Sequence, residues 1–183
     1  MATTTPYPDW AYYPSWERPA EWAVQLVQVV AAARADIGSK DVSHLTSDKV
    51  LAFLRPGMEA LGYKVESGKK RVEKIRRPVL FGERGTELVA YEVDAVHDEL
   101  GVLVEVEAGR GARGNAVYRD IVRTSLIVDA HFLALGVMSS YRHMTGGKET
   151  DVASYRETKA QLDALYASGR LKLPFEGLLL FGY

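Results

Sequence analysis

The stretch from Leu88 to Asn115, LVAYEVDAVHDELGVLVEVEAGRGARGN, carries two β-branched runs separated by polar residues. That pattern predicts a β-hairpin. With Asp98 to Gly101 as a four-residue turn, His97 pairs with Val102, Asp94 with Glu105 and Glu92 with Glu107. Side chains alternate faces along a strand, so these four acids share one face with Leu88, Ala90, Val96 and Leu103. Val89, Tyr91, Val93, Val102, Val104 and Val106 form the opposite, apolar face.

Helical spacing predicts further elements on either side. Trp22, Ala23, Leu26, Val27, Val30 and Ala33 give an amphipathic helix from Ala20 to about Ala35. Val50, Leu51, Leu54, Met58 and Leu61 give a second, capped by Thr46 or Ser47, kinked or divided at Pro56 and stopped by Gly62. Tyr63 to Glu66 reads as a first strand, and Gly82 and Gly85 mark a turn before the hairpin. A helix from about Asn115 to Ala130, a buried strand over 132–139, a polar loop over 140–148, a helix over 148–167 and a strand over 175–181 complete the order. The expectation is an α/β fold: a mixed sheet flanked by helices, in which a helical crossover makes the 132–139 strand parallel to its predecessor.

Residues 1–19 hold four of the seven prolines. Proline spacing forbids a regular helix or central strand there, so this segment reads as an extended arm preceding one domain over 20–183. Its Trp10, Tyr12, Tyr13 and Trp16 pack on the domain, or alternatively offer base-stacking platforms. A chain of 183 residues can bury a sizeable core. The formal charge of −1 announces no nucleic-acid partner, so any such binding comes from local patches. The absence of cysteine excludes disulfides, thiolate zinc sites and a cysteine nucleophile. No apolar run reaches the length of a membrane span and no signal-peptide pattern opens the chain, which makes a cytoplasmic protein with no membrane association the expectation.

Against this plain background two features carry chemistry. Opposed carboxylates in a hairpin sit only about 5 Å apart and repel, so four acids at one end of an apolar ribbon call for a compensating cation. Magnesium, a hard ion that prefers oxygen ligands, is the simplest candidate. The competing interpretation is a solvated sheet edge. The second feature is the basic run Lys69 to Arg77, KKRVEKIRR. It reads either as a solvated face or, through Lys69, Lys70 and Arg71, as a clamp on a phosphate backbone.

Asp94, ten intervening residues, then Glu105-Val106-Glu107 resembles the motif of the PD-(D/E)XK nucleases, the restriction-endonuclease-like superfamily. The expected element order from Thr46 to Ser139 matches that superfamily's αβββαβ core, here with an extra N-terminal helix and a C-terminal helix and strand. The resemblance implies a magnesium-dependent endodeoxyribonuclease, with manganese able to substitute, of restriction, repair or phage-defence type. It implies that Asp94 and Glu105 hold the metal together with the carbonyl of Val106. Glu107 stands where the family usually has lysine, as in members of the BamHI-like type; it would orient water, accept its proton or ligate a second metal. The proline that usually precedes the first acid is absent, Val93 standing there. Glu59 resembles the extra helical acid of some members, or is simply an exposed helix charge. Arg110, Arg113 and Asn115, with Arg119 and Arg123 behind them, would reach phosphate oxygens of DNA. A homodimer would suit a double-strand cutter, because two antiparallel backbones call for two symmetric sites.

Two alternatives remain open. Gly109 to Gly114 spells GxGxxG between a strand and a helix, the context of a dinucleotide fingerprint. The next strand ends Met138-Ser139-Ser140 without a ribose-binding acid, and Glu105 and Glu107 would repel a pyrophosphate lacking a metal. The other alternative is a catalytically degenerate nuclease fold that binds nucleic acid without cutting it.

Overall fold

The computed structural model describes residues 6–43, 45–109 and 115–183. The chain opens with strand β1 (Asp9–Tyr13), helix α1 (Glu21–Ala32), a single turn α2 (Arg34–Ile37) and helix α3 (Ser47–Ala60). Strands β2 (Lys64–Val65), β3 (Ile75–Phe81), β4 (Glu87–Val93), β5 (Ala95–His97) and β6 (Val102–Glu107) follow. Helix α4 (Ala116–Ser125), β7 (Phe132–Val137), β8 (Tyr141–Thr145), β9 (Lys148–Val152), α5 (Ser154–Ser168) and β10 (Gly177–Gly182) complete the described elements.

Six strands form one mixed sheet in the order β1-β10-β7-β6-β5-β2. β6, β7 and β10 run parallel; β1, β2 and β5 join antiparallel. Alternation along the parallel strands splits the core in two. Val102, Val104, Val106, Ala134, Leu179 and Phe181 pack against α1 and α3 through Leu26, Val30, Leu54 and Met58. Leu103, Leu133, Leu135, Leu178 and Leu180 pack on the other side against Val117 and Ile121 of α4 and Tyr155 and Leu162 of α5. Each such side chain contributes about 1.5–3 kcal/mol on burial. Buried on both faces, β7 and β10 lack a polar side, as parallel strands do, while β6 departs from the pattern at Glu105 and Glu107.

Several expectations hold in detail. The turn at Asp98–Gly101 pairs His97 with Val102, and Gly101 takes the left-handed φ of 63° that the reversal needs. Thr46 caps α3, its hydroxyl accepting from the Lys49 N–H at 3.4 Å. α3 nevertheless runs unbroken through Pro56.

Other expectations are corrected. The 87–97 run is not one strand: it breaks at Asp94, and β4 leaves the main sheet to pair with β3 as a separate ribbon. Glu92 therefore stands opposite Arg76, not Glu107. The break also reverses the facing of β4. Val93 joins the cluster of Val96 and Leu103 rather than that of Val102, Val104 and Val106. Leu88 and Val89, expected to be covered, are exposed. The end of the basic run belongs to β3, which hydrophobic spacing alone did not separate from the charges before it. Residues 141–152, read as loop and helix start, form a two-stranded hairpin. The 9–13 segment is an edge strand of the main sheet rather than an arm lying on it, with Tyr12 and Tyr13 buried while Trp10 and Trp16 stay exposed.

Tyr13 tests how far this N-terminal strand is structural. Its ring stacks on Tyr166 at 4.9 Å and its hydroxyl donates to Asp163 Oδ1 at 2.7 Å. Tyr13→Ala is expected to cost about 3–5 kcal/mol, read as a lower urea midpoint. A loss below about 0.5 kcal/mol would show that β1 contributes little.

Candidate active site

The hairpin break sets the geometry of the site. The β5–β6 ladder ends at the Ala95–Val104 pair. At the next position the Asp94 carboxylate takes over the role of the backbone, its Oδ2 accepting the Val106 N–H at 2.7 Å. The Asp94 carbonyl meanwhile accepts from Glu66 N–H at 2.8 Å, extending the β2–β5 pairing. Asp94 thus ties three strands together at the point where the ribbon departs.

A cavity of about 190 Å³ opens beside this junction. Asp94, Glu105, Val106 and Glu107 line it from β5–β6, and Glu92 from the base of the ribbon. Glu66 and Lys74 close one side; Arg119, Asp120 and Arg123 of α4 close another, with Ser47 at the start of α3. The four hairpin acids therefore do meet at one cavity, although Glu92 arrives by a different route from the one its spacing implied. Val106 contributes backbone to the same wall.

Burial dominates the electrostatics. It pushes the Asp94 carboxyl up to about 7, a shift reinforced by Glu66 and Asp120 and opposed by the Val106 N–H and Lys74. Glu105, more deeply buried, is raised well above its usual range by desolvation, then by Asp94 and Asp120. Glu107 is raised to about 7 by burial and by Asp120, against the pull of Arg119. The cations are tied into the same network. Lys74 Nζ donates to Glu66 Oε1, which holds the lysine in its charged form. Arg119 bridges Glu107 at 2.7 Å and Asp120 at 3.0 Å. Among the described residues, the second carboxylate oxygen of Asp120 is buried with no hydrogen-bond donor in place, and the Glu107 carboxyl, raised by it, is the neighbour that could share a proton with it.

The remaining sequence candidates fall as follows. Glu59 lies on the exposed side of α3 and is not among the cavity residues. Lys69 pairs with Asp48 at 3.5 Å, and Lys70 is exposed with its backbone N–H on Glu73; neither lines the cavity. Arg71 is exposed on the single 3₁₀ turn before β3. Asn115 is the residue before α4, in left-handed conformation at φ 58°. Arg110 and Arg113, with most of the GxGxxG stretch, lie outside the described residues. Arg119 and Arg123 are at the cavity.

Sequence reasoning missed Glu66, Lys74 and Asp120. Asp120 left a signal: it sits among Val117, Ile121 and Thr124 on the buried stripe of α4, where an acid needs a reason. Glu66 left none, and Lys74 was not separated from its neighbours in the basic run, because the approach of both depends on the ribbon's departure. Among the described residues, no three His, Asp or Glu side chains are already drawn around one point as ligands of an ion.

The raised carboxyls have a consequence for stability in the metal-free protein. Native carboxyls whose pKa is raised bind more protons than the unfolded chain between about pH 4 and 7, so stability falls as pH rises through that window. Glu105→Gln removes one buried charge and its repulsion. It should stabilise the chelator-treated protein at pH 8 by on the order of 1–3 kcal/mol, and much less at pH 4, by urea denaturation. An equal effect at both pH values would mean the carboxyl is not perturbed. Comparison with protein-family models, with curated proteins and with solved structures finds no match to this chain.

Proposed function

We propose that the chain is a magnesium-dependent nuclease that hydrolyses phosphodiester bonds of DNA. The observation that carries this reading is the convergence of Asp94, Glu105 and Glu107 on one cavity, with burial and mutual repulsion raising all three. The sheet supports it: β2, β5 and β6 pair antiparallel in turn, and a crossover through α4 makes β7 parallel to β6. That order is consistent with the αβββαβ core of the PD-(D/E)XK superfamily, with the β3–β4 ribbon as an insertion.

The residues present fit a hard divalent cation. The donors are carboxylate oxygens and the Val106 carbonyl, and Asp120 keeps a buried oxygen with no hydrogen-bond donor among the described residues. Asp94 and Glu105 would hold the ion with the Val106 carbonyl. When bound, the metal supplies Lewis-acid neutralisation of a phosphoryl oxygen and makes water a better nucleophile at neutral pH. The chain's own groups do the rest. Glu107, near 7, is suited to accept a proton from water at physiological pH. Lys74, held by Glu66, offers a cation in the wall of the same cavity, otherwise crowded with acids, and would stabilise charge growing on the phosphate. This partly replaces the lysine that the motif lacks. Arg119 orients Glu107 and Asp120, and Arg123 stands at the rim for the phosphate backbone.

A second reading, a nucleic-acid-binding protein without catalysis, is favoured by the Glu107–Arg119 ion pair, which occupies the group assigned to the base. Plasmid cleavage separates the two. In magnesium, Asp94→Ala and Glu105→Ala are each expected to lower the cleavage rate by about 100-fold or more while still binding DNA. Cleavage at equal rates by wild type and both variants would remove the catalytic reading.

A further inference from the structure

Next to the acidic cavity lies a second cleft of about 380 Å³, lined by Arg71, Arg76, Ala90, Glu92 and Arg123. Arg123 and Glu92 belong to both, so the two share a wall. The floor is the outer face of the β3–β4 ribbon, where Arg76 and Glu92 are register partners. The ribbon exists because the chain breaks at Asp94. The same break that builds the acidic cavity therefore builds the basic cleft beside it.

The three guanidinium groups are poorly neutralised. Arg71 has no hydrogen bond or ion pair from its side chain among the described residues. Arg76 has only an exposed contact with Glu87 at 3.6 Å, a pair that contributes little and is readily exchanged. Arg123 lies over the Tyr91 ring at 5.0 Å and reaches the Glu92 carbonyl at 3.5 Å; it forms no ion pair among the described residues, although its charge is felt at the buried Glu105. Tyr91 holds its guanidinium in place without discharging it. Three cations facing one acid make a receptor for an anion with several acceptor oxygens, and guanidinium forks match a phosphate.

A ligand with a single phosphate would need one of these cavities. A phosphodiester chain can occupy both at once. We propose that the Arg71–Arg76–Arg123 cleft binds the phosphate of a nucleic-acid strand next to the one held at the carboxylates. This rests on the nuclease reading, and it assigns the substrate as a strand with consecutive phosphodiesters rather than a mononucleotide. Arg76 becomes a specificity residue for strand length, and Lys69 and Lys70, outside the cleft, are relieved of that role.

The test measures binding of a fluorescein-labelled oligonucleotide by anisotropy, in calcium to prevent cutting, across a salt series. Hydrolysis of bis(p-nitrophenyl) phosphate, which has one phosphate, is measured in parallel. Arg71→Ala/Arg76→Ala is expected to weaken oligonucleotide binding about ten-fold. It should also lower the salt slope by about 0.7 for a single strand or 0.9 for a duplex, the value of one neutralised phosphate. Hydrolysis of the one-phosphate substrate should be unchanged. Arg71→Ala alone, at an exposed side chain with no partner to lose, gives part of the effect without a folding defect, and Lys172→Ala gives none. Unchanged affinity and slope in the double variant, or no oligonucleotide binding by wild type, would overturn the proposal. Wild-type binding with the expected arginine dependence but no Asp94-dependent cleavage would leave the cleft standing and remove the nuclease.

Discussion

Everything distinctive in this fold follows from Asp94 bonding to the Val106 N–H with its side chain instead of its backbone. A backbone ladder would have carried β4 onward beside β6 and placed Glu92 against Glu107. The side chain satisfies the Val106 donor and frees the main chain to turn, so no buried N–H is left unpaired while the strand is broken. The ribbon can then leave the sheet, and the space it vacates is the acidic cavity. One carboxylate thus serves as a structural link and as a member of the site, which predisposes any Asp94 variant to combine both effects unless it retains an acceptor.

The charge balance around that link is uneven. Six carboxyl groups line the cavity (Glu66, Glu92, Asp94, Glu105, Glu107 and Asp120) against three cations, Lys74, Arg119 and Arg123. Lys74 is engaged by Glu66, and Arg119 by Glu107 and Asp120. Asp94 and Glu105, the two deepest of the motif acids, form no ion pair among the described residues, and the charges of Lys74 and Arg123 only partly offset the cost of their burial. Burial of unpaired charge is costly, and such groups take up protons instead, which is why their pKa values rise. Protons and a divalent cation are therefore competing answers to the same excess of negative charge. The basic cleft lies just outside this region, so the surface potential changes sign across a single shared wall formed by Arg123 and Glu92.

How much of this was legible in the sequence depends on whether the signal was local. The turn at residues 98–101, the alternation of β6 and the crossover through α4 are short-range patterns, and they fold as read. The grouping of Asp94, Glu105 and Glu107 followed from turn geometry alone. The position of Glu92 did not, because a break in a strand depends on a side chain outbidding the backbone for one N–H, and periodicity has no term for that. The β3–β4 ribbon was hidden for a related reason: its strands are covered on one face only in part, leaving Leu80, Phe81, Leu88 and Val89 exposed, so alternation carried no reliable facing. The short β8–β9 hairpin likewise buries little, its tip being Gly146 and Gly147. β1 was misread because four prolines suggested an arm, although an edge strand tolerates proline at its ends.

The far end of the chain bears on the same site. The Tyr183 hydroxyl donates to the Glu107 carbonyl at 2.9 Å, while its own backbone joins Ser139 and Val137 at the end of the parallel strands. Tyr183 is fully buried, with its hydroxyl raised by desolvation and by the nearby Glu107 and Asp94 charges, so it stays a donor throughout the physiological range. The end of β6, which carries Glu107, is therefore fastened at its backbone by Tyr183 and at its carboxylate by Arg119. An acid gripped at both ends has little freedom to swing away from its repelling neighbours. With movement restricted, the cost of burial and repulsion is relieved by taking up protons, and the Glu107 carboxyl is raised accordingly.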